Sequence, residues 1–177
     1  MKRLGIIATS CALMALVTSA ARADVVTDWN VTALRATQAE QAPGATQART
    51  LAMMHVAMSD AINAVQGRFT RFTTVAAMPD ASAEAADAAA ARKVLTDLFP
   101  NRKAVIDEAY AASTKSVPDG MGKTQGVALG EQVAAAIQAE RAADGATAPD
   151  TYRPITSPGV WIPTTPPLTE QFARAKP

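Results

Sequence analysis

The chain has 177 residues, 17 Lys and Arg against 16 Asp and Glu, a net charge of +1, and one each of cysteine and histidine. That balance holds no basic excess to mark a nucleic-acid binder. With aromatics at 5%, a core has to be built from Ala, Val, Leu, Ile and Met, and so from closely approaching Ala-rich helices.

Lys2 and Arg3 form a basic start, Leu4 to Val17 is largely apolar, and Ala21-Arg22-Ala23 is a small-x-small cleavage signal. This is the anatomy of a secretory signal peptide over residues 1–23, and the apolar run is too short to span a bilayer. Removing 23 of the 177 residues leaves 154, and takes away three basic residues, so that 14 basic face 16 acidic and the charge becomes −2. Cys11 leaves with the signal, which excludes disulfide and thiolate chemistry in an exported, periplasmic or extracellular product. No second hydrophobic span follows, so no membrane association is expected after cleavage.

A single helical domain is expected over 24–145, with about five helices packed as a partial bundle: an all-α fold. The first helix runs from Asp24 or Asp28 to Gln38 with Val26, Trp29, Ala33 and Ala36 as its apolar stripe. Gln41-Ala42-Pro43-Gly44 ends it as a turn. Ala48 to Val65 then reads as the central helix of the array. Leu51, His55, Met58, Ile62 and Val65 share one face, while Met53, Val56 and Ala57 make the other side apolar too, beside Asp60 and Asn63.

Arg68 to Pro79 has strand propensity but no partner strand, so it is expected to be an extended connector with Phe69 and Phe72 tucked against the helices. Asp80 or Ser82 caps a third helix ending near Phe99, with Ala88, Ala91, Leu95 and Leu98 inward and Glu84, Asp87, Arg92 and Lys93 in solvent. A fourth helix places Ile106, Ala109, Tyr110, Ser113 and Val117 on one side, before the turn Val117-Pro118-Asp119-Gly120. The fifth, Lys123 to Ala143, turns Gly126, Leu129, Gly130, Val133 and Ile137 to the core. Two helical glycines each cost up to about 1 kcal/mol against Ala, which predicts a close helix approach there. From 146 to 177, Pro149, Pro154, Pro158, Pro163, Pro166, Pro167 and Pro177 predict an extended Pro-rich tail.

The one cluster with chemical promise is Met53-Met54-His55-Val56-Ala57-Met58. Thioether and imidazole ligands suit copper(I), and His55, Met54 and Met58 are the three that could converge, Met53 pointing away. Methionines at helical spacing are ordinarily core filler, and a lone imidazole on such a face is ordinarily a hydrogen-bonded structural group, here with Ser59 as a local candidate partner. A Ser/His/Asp arrangement fails because Asp60 projects well round the helix from His55. Asp107-Glu108 and Asp24/Asp28 read as solvated carboxylates. No phosphate-cradling Gly loop, zinc spacing or nucleophile elbow occurs, so no catalytic, cofactor-binding or metal-binding residue is assigned.

Several stretches nevertheless form a series. They are Val26-Thr27-Asp28-Trp29-Asn30, Ala48 through Ala64, Leu98-Phe99-Pro100, Val117-Pro118-Asp119-Gly120, Gly126 through Glu131, and Pro158-Gly159-Val160-Trp161. In order and spacing this series resembles the N-terminal part of bacterial vanadium-dependent haloperoxidase-like proteins of the type 2 phosphatidic acid phosphatase superfamily. One departure is Ser59, where related sequences often carry an aromatic residue. The resemblance implies an all-helical enzyme that holds vanadate or phosphate with Lys, two Arg, a Ser-Gly-His segment and a further His, all in its later part. This chain has no Pro-Ser-Gly-His and no histidine besides His55. It is therefore expected to be a non-catalytic helical scaffold, with vanadate implied only for a full-length relative. The expected partner is a catalytic helical half, in a longer parent chain or lost by truncation, and a homo-oligomer is also compatible. The alternatives are a free-standing exported partner-binding protein and the Met/His copper module.

Overall fold

A computed structural model describes residues 25–149, 151–153, 155, 157–160 and 169–176. The expected signal peptide, Trp161 and most of the tail prolines lie outside the described residues. The described chain is all-α, with five α-helices and no strand. They are α1 (Val25–Ala39), α2 (Gly44–Gln66), α3 (Ala83–Leu98), α4 (Lys103–Thr114) and α5 (Met121–Arg141). A 3-10 turn, Pro100–Arg102, leads into α4, and a second, Glu170–Arg174, stands near the end of the chain. No helix among the described residues is long and apolar enough to cross a membrane.

Each boundary has a local cause. Pro43 precedes the first residue of α2, and Gly67 ends that helix in the left-handed region (φ 65°), its N–H donating to the Asn63 carbonyl. Ser82 caps α3 by accepting from the Ala85 N–H at 3.2 Å. Between them the connector is extended and unpaired, as its lone strand propensity predicts. Its aromatics, however, are not tucked in: Phe69 is 76% exposed and Phe72 56%. What holds the connector is polar. Asp60, 3% exposed, accepts from the Phe72 N–H at 2.9 Å and the Thr73 N–H at 2.6 Å, and Asn63 Oδ1 accepts from the Phe69 N–H at 3.2 Å.

The centre of the bundle is α3 rather than α2. Ala85, Ala86, Asp87, Ala88, Ala89, Ala90, Ala91, Val94 and Leu95 are all buried, so almost the whole circumference of α3 is covered, and all four other helices pack on it. Asp87, expected in solvent, is among them. α2 buries a face shifted from the expected one: Met54, Ala57, Ala61 and Ala64 lie deepest, while Leu51, His55, Ile62 and Val65 are half-buried at its edge.

The glycines of α5 show how α3 is reached. The Ser82 N–H donates to the Gly122 carbonyl at 2.8 Å. One turn on, a Cβ at Gly126 would stand 2.5 Å from the Ser82 carbonyl oxygen, and at Gly130 2.2 Å from that of Ala86. The contacts advance together along both helices, so α3 and α5 run side by side in the same direction with backbone against backbone. Leu129, Val133, Ala134 and Ile137 complete the inward face of α5.

Candidate functional site

The Met/His cluster is divided by the fold. Met54 and Met58 are 0% and 2% exposed and belong to the apolar core together with Met53. His55 stands half-buried at the seam of α1 and α2, its Nε2 3.2 Å from Asn30 Oδ1, while Ser59 is exposed. Because an amide oxygen only accepts, the Nε2 hydrogen donates to it. Asp60 serves the connector amides and makes no contact with the imidazole. No group of three or more His, Cys, Asp or Glu side chains that could hold a metal occurs among the described residues.

The expected solvated carboxylates are partly engaged. Asp107 accepts from Arg92 Nε at 2.7 Å, tying α3 to α4, and also pairs with Lys103. The Lys103 and Arg92 hydrogen bonds hold the Asp107 carboxyl below the usual carboxylate range. Arg92 also lies over the Tyr110 ring, 4.9 Å from its centroid. These are surface braces between and along α3 and α4.

A more distinctive constellation sits where α2 begins and α5 ends. Along α2, Ala45, Ala48 and Ala52 are too small to fill the space beside them, and Met53 and Val56 close its floor. Ile137 and Arg141 of α5 form the opposite wall, the exposed ring of Phe72 a third side, and Phe172 and Ala175 of the returning tail a fourth. The resulting cleft has a volume of about 450 Å³.

Its edge is charged. Arg49 Nε donates to Asp144 Oδ2 at 2.7 Å, and Arg49 Nη2 donates to the Arg141 carbonyl at 3.0 Å, so one guanidinium closes the end of α5 and pairs with the residue just beyond it. Asp144, 6% exposed, also accepts from the Ala146 N–H at 2.9 Å. Burial works to raise the Asp144 carboxyl, but the Arg49 and Ala146 hydrogen bonds and the charges of Arg49 and Arg141 outweigh it and hold the group below its ordinary value. The Arg141 guanidinium lies over the Phe72 ring, 5.6 Å from its centroid, and the Lys176 N–H donates to the Asp144 carbonyl at 2.8 Å. The first part of α2 and the last described residue thus meet at Asp144.

Met53, Val56, Phe72 and Ile137 were read from the sequence as packing or cluster residues, and none of the charged residues of this cleft was singled out. Arg49 and Asp144 are 95 positions apart, and neither lies in a motif with a chemical signature. The only available hint was the run of alanines at 45, 48 and 52 on one side of a helix otherwise carrying large residues.

The cleft does not fit an oxyanion centre of the haloperoxidase kind. Its lining holds Arg49, Arg141, Lys176 and the carboxylate of Asp144 above an apolar floor, with no histidine, serine or threonine. The chain is an all-α protein with a cation-edged apolar cleft, and that is the class its fold and site define. No family model, curated protein or solved structure matches it.

Proposed function

We propose that this chain is a non-catalytic N-terminal helical scaffold of an exported protein of the vanadium haloperoxidase and acid-phosphatase type. Its role is to present a packed helical face to a catalytic helical half. The observation that carries this reading is the contact between two of the family-like stretches. Asn30, from Val26-Thr27-Asp28-Trp29-Asn30, meets His55, from the Ala48–Ala64 stretch, at 3.2 Å. The Gly126–Glu131 stretch supplies the two glycines on which α3 rests. Residues of the resemblance are thus used for packing, and the chain's single histidine is used to join two helices. A scaffold needs this, whereas a catalytic half would need histidines free to face an oxyanion.

The purified chain incubated with vanadate, bromide and hydrogen peroxide is expected to show no halide oxidation above the protein-free control. Vanadate-dependent turnover would overturn the non-catalytic reading. On the positive side, DNA downstream of Pro177 is expected to encode Lys…Arg-Pro…Pro-Ser-Gly-His, in frame or one frameshift away. A chain extended through that segment is expected to gain the activity. Absence of any such remnant would favour a free-standing partner-binding protein instead. The exported location rests on the three-part anatomy of residues 1–23 and is tested by sequencing the N-terminus of the secreted product, expected to begin at Asp24.

A further inference from the structure

We propose that the cleft between α2 and α5 binds a small amphipathic anion, a medium-chain carboxylate, with its chain on the apolar floor and its head group at Arg141 and Lys176. This goes beyond the scaffold reading and does not depend on it.

The volume comes first. About 450 Å³ lies within the range of small-molecule sites, roughly 300–1,000 Å³, which bury most of a ligand's surface against apolar walls. The floor and the walls beside it are built from Ala52, Met53, Val56 and Ile137, none of which offers a polar side chain. A wholly polar ligand would lose its hydration there and gain nothing in return.

Charge sets the head group. Three cations, Arg49, Arg141 and Lys176, line the cleft against one carboxylate, Asp144. Asp144 is already paired with Arg49; Arg141 acts on it only at longer range and donates from Nη1 to the Lys176 carbonyl at 3.3 Å, and among the described residues no carboxylate lies within ion-pair distance of Arg141 or Lys176. Two positive charges therefore stand at the mouth of an apolar cavity. Arg141 is placed over Phe72, so the guanidinium is oriented before a ligand arrives and less of its freedom is lost on pairing. An anion without a chain would meet the same cations in open solvent, where an exposed pair contributes little. The site is matched to a molecule with both parts.

The test is calorimetric titration of the full chain with decanoate below its micellar concentration. Decanol and inorganic phosphate serve as the probes for tail alone and head alone. Decanoate is expected to bind saturably at one per chain, decanol at least tenfold more weakly, and phosphate not measurably. Arg141→Gln is expected to weaken decanoate about tenfold and leave decanol unchanged, while Ala52→Phe, which fills the floor, removes both. Lys176 is exposed and its backbone contact survives substitution, so Lys176→Gln gives the head-group test even if Arg141→Gln fails to fold. Equal affinity for decanoate and decanol, phosphate binding as tightly as decanoate, or no saturable binding by a chain that melts cooperatively would each overturn the proposal. None of these outcomes touches the scaffold reading, which is decided by vanadate-dependent turnover.

Discussion

At the residue scale, two buried carboxylates organise parts of the chain that local pattern leaves unconnected. Asp144 is held ionised by Arg49, so Asp144→Asn strands a partly buried guanidinium and is expected to cost about 3 kcal/mol, read from denaturant midpoints. The sign of the pH effect follows from the lowered value. A carboxyl whose folded pKa lies below its unfolded value of 3.8 contributes stability that is complete above 3.8 and is lost as the pH falls through the folded pKa. The acid limb of the stability profile should therefore be shallower in Asp144→Asn than in the parent chain. A variant with an unchanged acid limb would show that Asp144 does not supply it. Asp60 works differently, accepting two connector N–H groups. Asp60→Ala is expected to cost about 2 kcal/mol and to speed hydrogen exchange at the Phe72 and Thr73 amides in particular. From sequence, Asp60 reads as a polar residue beside Met53, Val56 and Ala57 on the side of its helix away from His55. Its partners are 12 and 13 residues away along an irregular segment, a distance that helical periodicity does not reach.

At the scale of elements, the helices were legible because each has a physical stop. Gln41-Ala42-Pro43-Gly44, Gly67, Ser82 and Pro118-Asp119-Gly120 mark ends that the structure places within a few residues. The glycine pair of α5 was legible too, since a residue that weakens a helix twice on one stripe needs a packing reason. The centre was misread. α3 is nearly all alanine along its first half, and alanine gives almost no contrast between a buried and an exposed face, so its complete burial leaves little trace in the pattern. α2, with its large Met, Leu and Ile residues, has the stronger signal and the more peripheral position. The close approach makes a contrast testable. Gly130→Ala places a methyl 2.2 Å from the Ala86 carbonyl oxygen, whereas a Cβ at Gly44 meets nothing within 4 Å. Gly130→Ala is expected to destabilise by about 1–3 kcal/mol despite its better helix propensity, and Gly44→Ala to stabilise by up to about 1 kcal/mol. Thermal melts of the two variants should move in opposite directions.

For the whole molecule, the exposed Phe69 and Phe72 lie on the connector that also walls the cleft, so apolar surface is gathered on that side. A folded chain is expected to bind an environment-sensitive dye such as anilinonaphthalene sulfonate while still melting cooperatively, and Phe69→Ser with Phe72→Ser should remove most of that signal. Persistence of the full signal in the double variant would place the uncovered surface elsewhere. This cleft could not have been read from sequence, because its walls come from residues near 50, 72, 140 and 172 and only the fold brings them together. The parallel contact of α3 and α5 also governs the order in which the protein can form. A growing chain that has reached Gly120 contains the central helix but none of the backbone surface on which α3 rests, and the Arg49–Asp144 pair cannot form until residue 144 has been made. These contacts are distant in sequence, so the helices before α5 stay partly uncovered until α5 has been made.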